Sequence, residues 1–148
     1  MTISDIGKTF DEEKLTIEDY KKTEDSYINA IHLIIDYLSL PYLKVDDVIR
    51  SFSLEMFQDL IKDYRELYSE EMMEHYSNVK NKDNLSKKKV DVFCRLLIRE
   101  NIGAKVYYPR RMKVFIGYDY LMGVHMSKPL DPIIPLIEET GLFIEKIS

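Results

Sequence analysis

Apolar side chains recur every three or four residues in three stretches of the first hundred residues, the spacing of helices with one buried face. The first stretch predicts a helix over residues 24–39. Thr23 can cap its start, Glu24 and Asp25 suit the positive end of the helix dipole, and Pro41 ends the run. We expect a well-buried helix, because its periodic positions are occupied by Tyr27, Ile28, Ile31, Ile34, Ile35 and Leu38.

Two further helices are predicted before residue 103. A long one covers residues 54–76, with Ser53 as its N-cap. The other covers about residues 87–101, begins after Ser86 and is stopped by Gly103. Each has an apolar stripe that a packed core would cover. The stripe of the long helix consists of Leu54, Phe57, Leu60, Ile61, Tyr64, Leu67, Tyr68 and Met72.

The pattern changes to β-forming residues at about residue 104. Residues 105–108 and 112–118 read as strands joined by a tight connection at 109–111, and residues 119–126 continue in the same style. Earlier in the chain, the connection between the first two helices can hold one helical turn at 45–50. The strands therefore predict a small meander after the helices.

The last elements are a helix within residues 131–140, kept short or irregular by Pro135, and a strand at 142–147. The fold class expected is α+β, a single domain over residues 1–148 with N-terminal helices packed on a small, mainly antiparallel C-terminal sheet. Its parts are a lead-in at 1–22, which is mobile or forms a short helix over Leu15–Tyr20, a helical part at 23–102 and a β-rich part at 103–148.

Carboxylates line the polar side of the predicted helix 54–76. Their spacings are four, four, three, four and four residues, so they fall within an arc of about 100° at 3.6 residues per turn. Like charges at i,i+4 cost a helix about 0.2–0.5 kcal/mol per pair, so the stripe does not favour the helix that carries it. It would accommodate a basic partner, although a solvated face is the plainer alternative. The six residues are Glu55, Asp59, Asp63, Glu66, Glu70 and Glu74.

The net charge of −5 conceals a division of the chain. Residues 1–74 carry 18 Asp and Glu against 8 Lys and Arg, which is −10, and residues 75–148 carry 8 against 13, which is +5. The acidic half argues for a basic macromolecular partner. The basic half leaves nucleic-acid binding through Lys87–Lys89 and Arg110–Arg111 as an alternative, with Tyr107 and Tyr108 as stacking aromatics. The other interpretation of Arg110 and Arg111 is an exposed hairpin tip whose arginines serve solubility.

Catalytic, metal and cofactor signatures are not found in the sequence. His32, His75 and His125 are far apart, and the five glycines are scattered rather than gathered in a phosphate-binding loop. Cys94 lies on the third predicted helix, where a core thiol is expected and a spatial Cys–His–Asp site is the alternative. We therefore expect a protein that is not an enzyme and holds no cofactor.

The segment Lys113–Val124, KVFIGYDYLMGV, is followed by the closing residues Gly141–Glu145, GLFIE. This form resembles the C-termini of small bacterial immunity proteins, the antidotes of polymorphic toxin systems that include contact-dependent growth inhibition. Gly117, Tyr118, Asp119, Tyr120 and Met122 fit it, whereas Gly123 stands where a second bulky aromatic residue is often found. The match covers about a quarter of the chain, and the N-terminal helices have no counterpart in it.

The resemblance implies a non-enzymatic role in the cytoplasm: binding and neutralising a cognate toxin domain. Many such toxins are nucleases with basic clefts, to which an acidic surface is complementary. The N-terminal sequence has no secretory signal, and no apolar run is long enough for a membrane span, so no membrane contact is expected. Direct nucleic-acid binding is not expected in this role, and the sequence leaves the oligomeric state open. The predicted contact residues, chosen from charge rather than from the resemblance, are Asp46, Asp47, Asp59, Asp63, Glu66, Glu70 and Glu74, with Tyr76 as an aromatic anchor.

Overall fold

The computed structural model describes residues 9–10, 13–14, 17–116, 122–142 and 144–145. The helices are α1 (Ile17–Leu38), α2 (Leu54–Leu60), α3 (Glu70–Asn78), α4 (Lys87–Ile98) and α5 (Ile134–Glu138), with 3-10 helices at Lys62–Leu67 and Asp131–Ile133. The strands are β1 (Thr9–Phe10), β2 (Glu13–Lys14), β3 (Leu43–Ile49), β4 (Asn84–Leu85), β5 (Gly103–Tyr108), β6 (Met112–Ile116) and β7 (Met122–Met126).

Helix α1 is the predicted first helix, but it begins earlier than expected. Thr23 is not its N-cap: the Thr23 hydroxyl donates to the Asp19 carbonyl one turn back, inside the helix. Residues 17–22 of the expected lead-in are therefore helical, and the short strands β1 and β2 pair before them. The helix ends where Ser39 takes a positive φ of 55° and the Leu40 amide donates to the Ile35 carbonyl at 3.0 Å.

The main sheet has five strands in the order β4-β3-β5-β6-β7, and every neighbouring pair is antiparallel. Strand β3 occupies the place where one turn of helix was predicted, so that prediction was wrong. Leu43 and Val45 are fully buried while the residues between and after them are more exposed, a period of two that favours a strand. The helical part of the chain thus contributes two strands, β3 and β4, to the sheet.

The hairpin of β5 and β6 confirms the tight connection predicted at residues 109–111. Arg110 has a positive φ of 64°, and the Arg111 amide donates to the Tyr108 carbonyl at 3.0 Å. On the next strand, Gly123 lies opposite Phe115, and a Cβ at that position would overlap the Phe115 ring. A side chain at position 123 would therefore require the Phe115 ring to move.

Residues 117–121 lie outside the described part, and with them Gly117, Tyr118, Asp119 and Tyr120 of the motif that carries the resemblance. The helix predicted within 131–140 is confirmed as a short, irregular one, a 3-10 turn followed by the five residues of α5. The described residues of the predicted last strand, Leu142, Ile144 and Glu145, are not in a strand. Phe143 and residues 146–148 of that strand are outside the described part.

The core lies between the helices and the sheet, which confirms the α+β class. Helix α1 contributes Ile31, Ile34 and Ile35, and the sheet contributes Val106 and Val114, all of them at most 2% exposed. Cys94 of α4 is also in this core, and burial raises the pKa of its thiol to about 12. Among the described residues, no helix has both the length and the apolar character to cross a membrane.

Candidate partner-binding surface

The segment 54–76 is not the single helix that the apolar pattern predicted. Helix α2 ends at Leu60, a 3-10 helix follows at Lys62–Leu67, and α3 begins at Glu70. Tyr64 inside the 3-10 helix departs from helical geometry, and Tyr68 after it is extended, with φ −118° and ψ 121°. The six-carboxylate stripe on one helix face therefore does not exist.

Two serines decide where the α-helices begin. The Ser53 side chain accepts from the Met56 amide at 3.2 Å, which confirms the predicted N-cap. The Ser69 side chain accepts from the Met72 amide at 3.2 Å and starts a second helix that was not predicted. Ser69 is followed by Glu70 and Glu71, an N-terminal signal present in the sequence. The long apolar periodicity across residues 54–76 masked this signal.

The six carboxylates are nevertheless all exposed, two each on α2, the 3-10 helix and α3. Two of them have ion-pair partners: Lys62 lies 3.9 Å from Asp59, and Arg65 lies 3.4 Å from Glu70. In the part of the chain that the structure describes, no salt bridge involves the other four, which are Glu55, Asp63, Glu66 and Glu74. The charge is present as predicted, but it is distributed over three short helices.

The two aspartates predicted to extend the acidic surface lie on β3 rather than on a helix. Asp46 is half-buried and accepts a long hydrogen bond of 3.4 Å from the Tyr107 hydroxyl. Asp47 is exposed and has a positive φ of 53° where the register of β3 against β5 shifts. Asp47 is therefore accessible to a partner, whereas Asp46 is partly engaged within the sheet.

Tyr76 is not available as an aromatic anchor, and this prediction was wrong. Its side chain is 1% exposed, its ring stacks on Phe57 with 3.9 Å between ring centroids, and its hydroxyl donates to the Phe52 carbonyl at 2.6 Å. Burial raises the pKa of the Tyr76 hydroxyl. Tyr76 faces inward because it lies on the side of α3 that also buries Met72 and Met73.

Sequence reasoning missed a group of exposed apolar side chains beside the carboxylates. Seven large hydrophobic residues of the described part are exposed, and five of them lie within residues 49–60. We call these five the apolar segment: Ile49, Phe52, Leu54, Met56 and Leu60. Two of them, Leu54 and Leu60, had been assigned to the buried stripe of a long helix; with α2 only seven residues long, Phe57 is the one buried residue of that helix.

Sequence reasoning also missed a buried ion cluster between α1 and α4. Glu24 is 2% exposed and accepts two hydrogen bonds of 2.7 Å from Arg99, which is 7% exposed. Arg95 donates to Glu24 at 2.9 Å and to Asp25 at 2.7 Å. Burial and the neighbouring Glu24 carboxylate raise the pKa of the Tyr20 hydroxyl. Every one of these charges is paired, which is the arrangement of a structural cluster.

The basic residues of the alternative nucleic-acid site are partly engaged within the fold. Lys87 pairs with Asp36, and Lys88 lies 3.9 Å from Glu71. Arg111 donates to the Leu38 carbonyl at 3.1 Å and to the Ser127 hydroxyl at 3.2 Å. These contacts engage Lys87, Lys88 and Arg111 with other parts of the fold.

A groove of about 340 Å³ lies beside the C-terminal half of α3. Glu74, His75 and Lys89 contribute charged or titratable side chains to its wall. Burial, and next the charge of Lys89, lower the pKa of His75. Among the described residues, no group of three His, Cys, Asp or Glu side chains is arranged to hold a metal ion.

Comparison with known proteins adds no relative to these observations. No protein-family model matches the chain, and no curated protein and no solved structure matches it either.

Proposed function

We propose that the chain is a non-enzymatic immunity protein of the cytoplasm that binds a cognate toxin domain, a basic nuclease, and neutralises it. The observation that carries the proposal is the acidic segment, residues 55–74, in which seven carboxylates, the six predicted ones and Glu71, are exposed on three consecutive short helices. Four of these seven form no salt bridge within the described residues, whereas Asp59, Glu70 and Glu71 each pair with a Lys or Arg.

An exposed acidic surface suits a nuclease inhibitor for a physical reason. A nuclease cleft carries positive charge because it binds phosphates, and it attracts carboxylates to the same positions. Electrostatic steering raises association rates to about 10⁸–10⁹ M⁻¹s⁻¹ at low salt. An inhibitor that must act before its target is damaged benefits from this rate, and the inhibition needs no reaction of its own.

The partner can be obtained by purification of the tagged protein from its native strain at low salt, with nuclease treatment and mass spectrometry. One stoichiometric basic protein, released by high salt, supports the proposal and identifies the toxin. Nucleic acid in place of a protein partner contradicts it and supports the nucleic-acid alternative.

Charge reversal then tests the acidic segment against that toxin. In the double variant Glu66→Lys and Glu74→Lys, we expect the association rate to fall by at least about tenfold at low salt and its salt dependence to flatten. Glu138→Lys with Glu139→Lys makes the same charge change at exposed positions at the end of α5, and it serves as the matched control. Equal losses in both variants would show that only net charge matters and would exclude the acidic segment as the interface.

A further inference from the structure

The large side chains of the apolar segment are exposed to solvent and are not part of the core. They are Ile49, Phe52, Leu54, Met56 and Leu60. The exposed fractions of Met56 and Leu60 are 55% and 57%, and Ile49 is 64% exposed. Met56 and Leu60 are four residues apart on α2, so their side chains are neighbours on one helix face. Large apolar side chains gathered in one short stretch of surface are typical of an interaction site.

Ring contacts and hydrogen bonds hold the backbone of the apolar segment in place. Phe57, the buried residue of α2, stacks on Tyr76. It also makes an edge contact with Tyr68, at 5.7 Å between ring centroids. The Tyr76 hydroxyl donates a hydrogen bond to the Phe52 carbonyl. The Arg50 guanidinium donates to the carbonyls of Tyr76 and Val79. The loop between β3 and α2 is thereby fixed to the end of α3. A surface fixed in this way loses little conformational entropy on binding.

The charges around the apolar segment indicate what covers it. Glu55 lies within it, and Asp63 and Glu66 follow it in the chain, all exposed and without a salt bridge in the described part. The basic side chains nearby are engaged, because Arg50 donates to the end of α3 and Lys62 lies 3.9 Å from Asp59. An occupant therefore needs apolar side chains at its centre and positive charge at its margin.

We propose that the apolar segment is the centre of the interface with a protein partner, and that it receives a segment of the partner with bulky apolar side chains flanked by Lys or Arg. This inference rests on the proposed function and adds the chemistry of the contact. A second copy of this chain is a poor occupant, because a symmetric contact would bring Glu55 and its neighbours against the same carboxylates. An anionic lipid surface is disfavoured for the same reason.

Synthetic peptides provide the probe. The first is a helical peptide of about 15 residues with Leu on one face and Lys at its margins. A second replaces every Lys by Glu, and a third keeps Lys but replaces every Leu by Ser. Fluorescence anisotropy at low salt measures the dissociation constant of each for the intact chain. We expect the Leu/Lys peptide to bind at least about tenfold more tightly than either of the others.

The variant Met56→Ser with Leu60→Ser locates the contact. We expect it to weaken Leu/Lys peptide binding by about tenfold, because two exposed apolar side chains at the centre of the interface are lost. Leu136→Ser is the matched control, since Leu136 on α5 is 48% exposed, and its binding should be unchanged. Circular dichroism verifies that both variants are folded.

Two results would overturn the inference: equal binding of the Leu/Lys and Ser/Lys peptides, or a dimer in sedimentation equilibrium that the Met56 and Leu60 substitutions dissociate. With the purified toxin, failure of this inference is separable from failure of the proposed function. If Glu66→Lys with Glu74→Lys weakens toxin binding while Met56→Ser with Leu60→Ser does not, the acidic interface stands and the apolar contact is refuted. If peptide binding follows the expected pattern but no toxin is found, the surface is real and the immunity role fails.

Discussion

The chain places charged side chains in two opposite environments. In the buried cluster of Glu24, Arg95 and Arg99, each charge has a partner within 3 Å, and Glu24 and Arg99 have almost no contact with water. In the acidic segment, residues 55–74, the carboxylates are exposed and most have no salt bridge in the described part. Buried charges must be paired, because desolvation of an unpaired ion costs several kcal/mol, whereas exposed charges remain available to a partner. The same residue types thus stabilise a fold in one place and offer a binding surface in the other.

The two regions meet at Arg99. Arg99, which pairs with Glu24, also donates to the Leu67 carbonyl at 2.7 Å, and its guanidinium lies 4.7 Å from the centroid of the Tyr68 ring. Leu67 is the last residue of the 3-10 helix, and Tyr68 follows it before α3 begins at Glu70. The buried cluster therefore holds the point at which the acidic segment changes direction from one helix to the next.

The largest expected effect is on the buried cluster. Arg99→Met leaves Glu24 buried with fewer partners, and we expect it to lower the free energy of unfolding by about 3–5 kcal/mol. The double variant Glu24→Met with Arg99→Met removes both charges and should recover much of this loss. Urea denaturation measures both variants. A loss below about 1 kcal/mol for Arg99→Met, the range of exposed pairs, would show that the cluster behaves like a surface ion pair.

An intermediate effect is expected where the two regions meet. Ser69→Ala removes the side chain that accepts from the Met72 amide, and it should cost about 0.5–2 kcal/mol of stability. Ser69→Asp preserves a capping oxygen and is the control that should retain stability. Thermal denaturation compares the three proteins. If alanine and aspartate behave alike, the cap does not stabilise the start of α3.

The smallest effect on stability is expected in the acidic segment. Glu66→Lys with Glu74→Lys changes two exposed side chains without salt bridges in the described part, so the free energy of unfolding should change by less than about 0.5 kcal/mol per site. The same urea experiment measures it beside Arg99→Met. A loss as large as that of Arg99→Met would show that these carboxylates support the fold and would remove the contrast between the two regions.

The sequence by itself determined the elements that depend on local signals. The buried faces of α1 and α4, the tight hairpin at 109–111 and the cap at Ser53 all followed from periodicity, turn residues and capping chemistry. The acidic composition of residues 55–74 was likewise readable, since exposed carboxylates are the ordinary state of Asp and Glu.

Only the tertiary structure decided the rest. Glu24 and Arg99 are 75 residues apart, so no local pattern shows that they form a bidentate pair. Val45 lies in a strand because β5 pairs with it. Tyr76 is buried where its ring stacks on Phe57. Leu54, Met56 and Leu60 stayed exposed because the short α2 buries only Phe57. Each outcome depends on which neighbour covers a side chain, and the distant parts of the chain that supply the neighbours come together only in the fold.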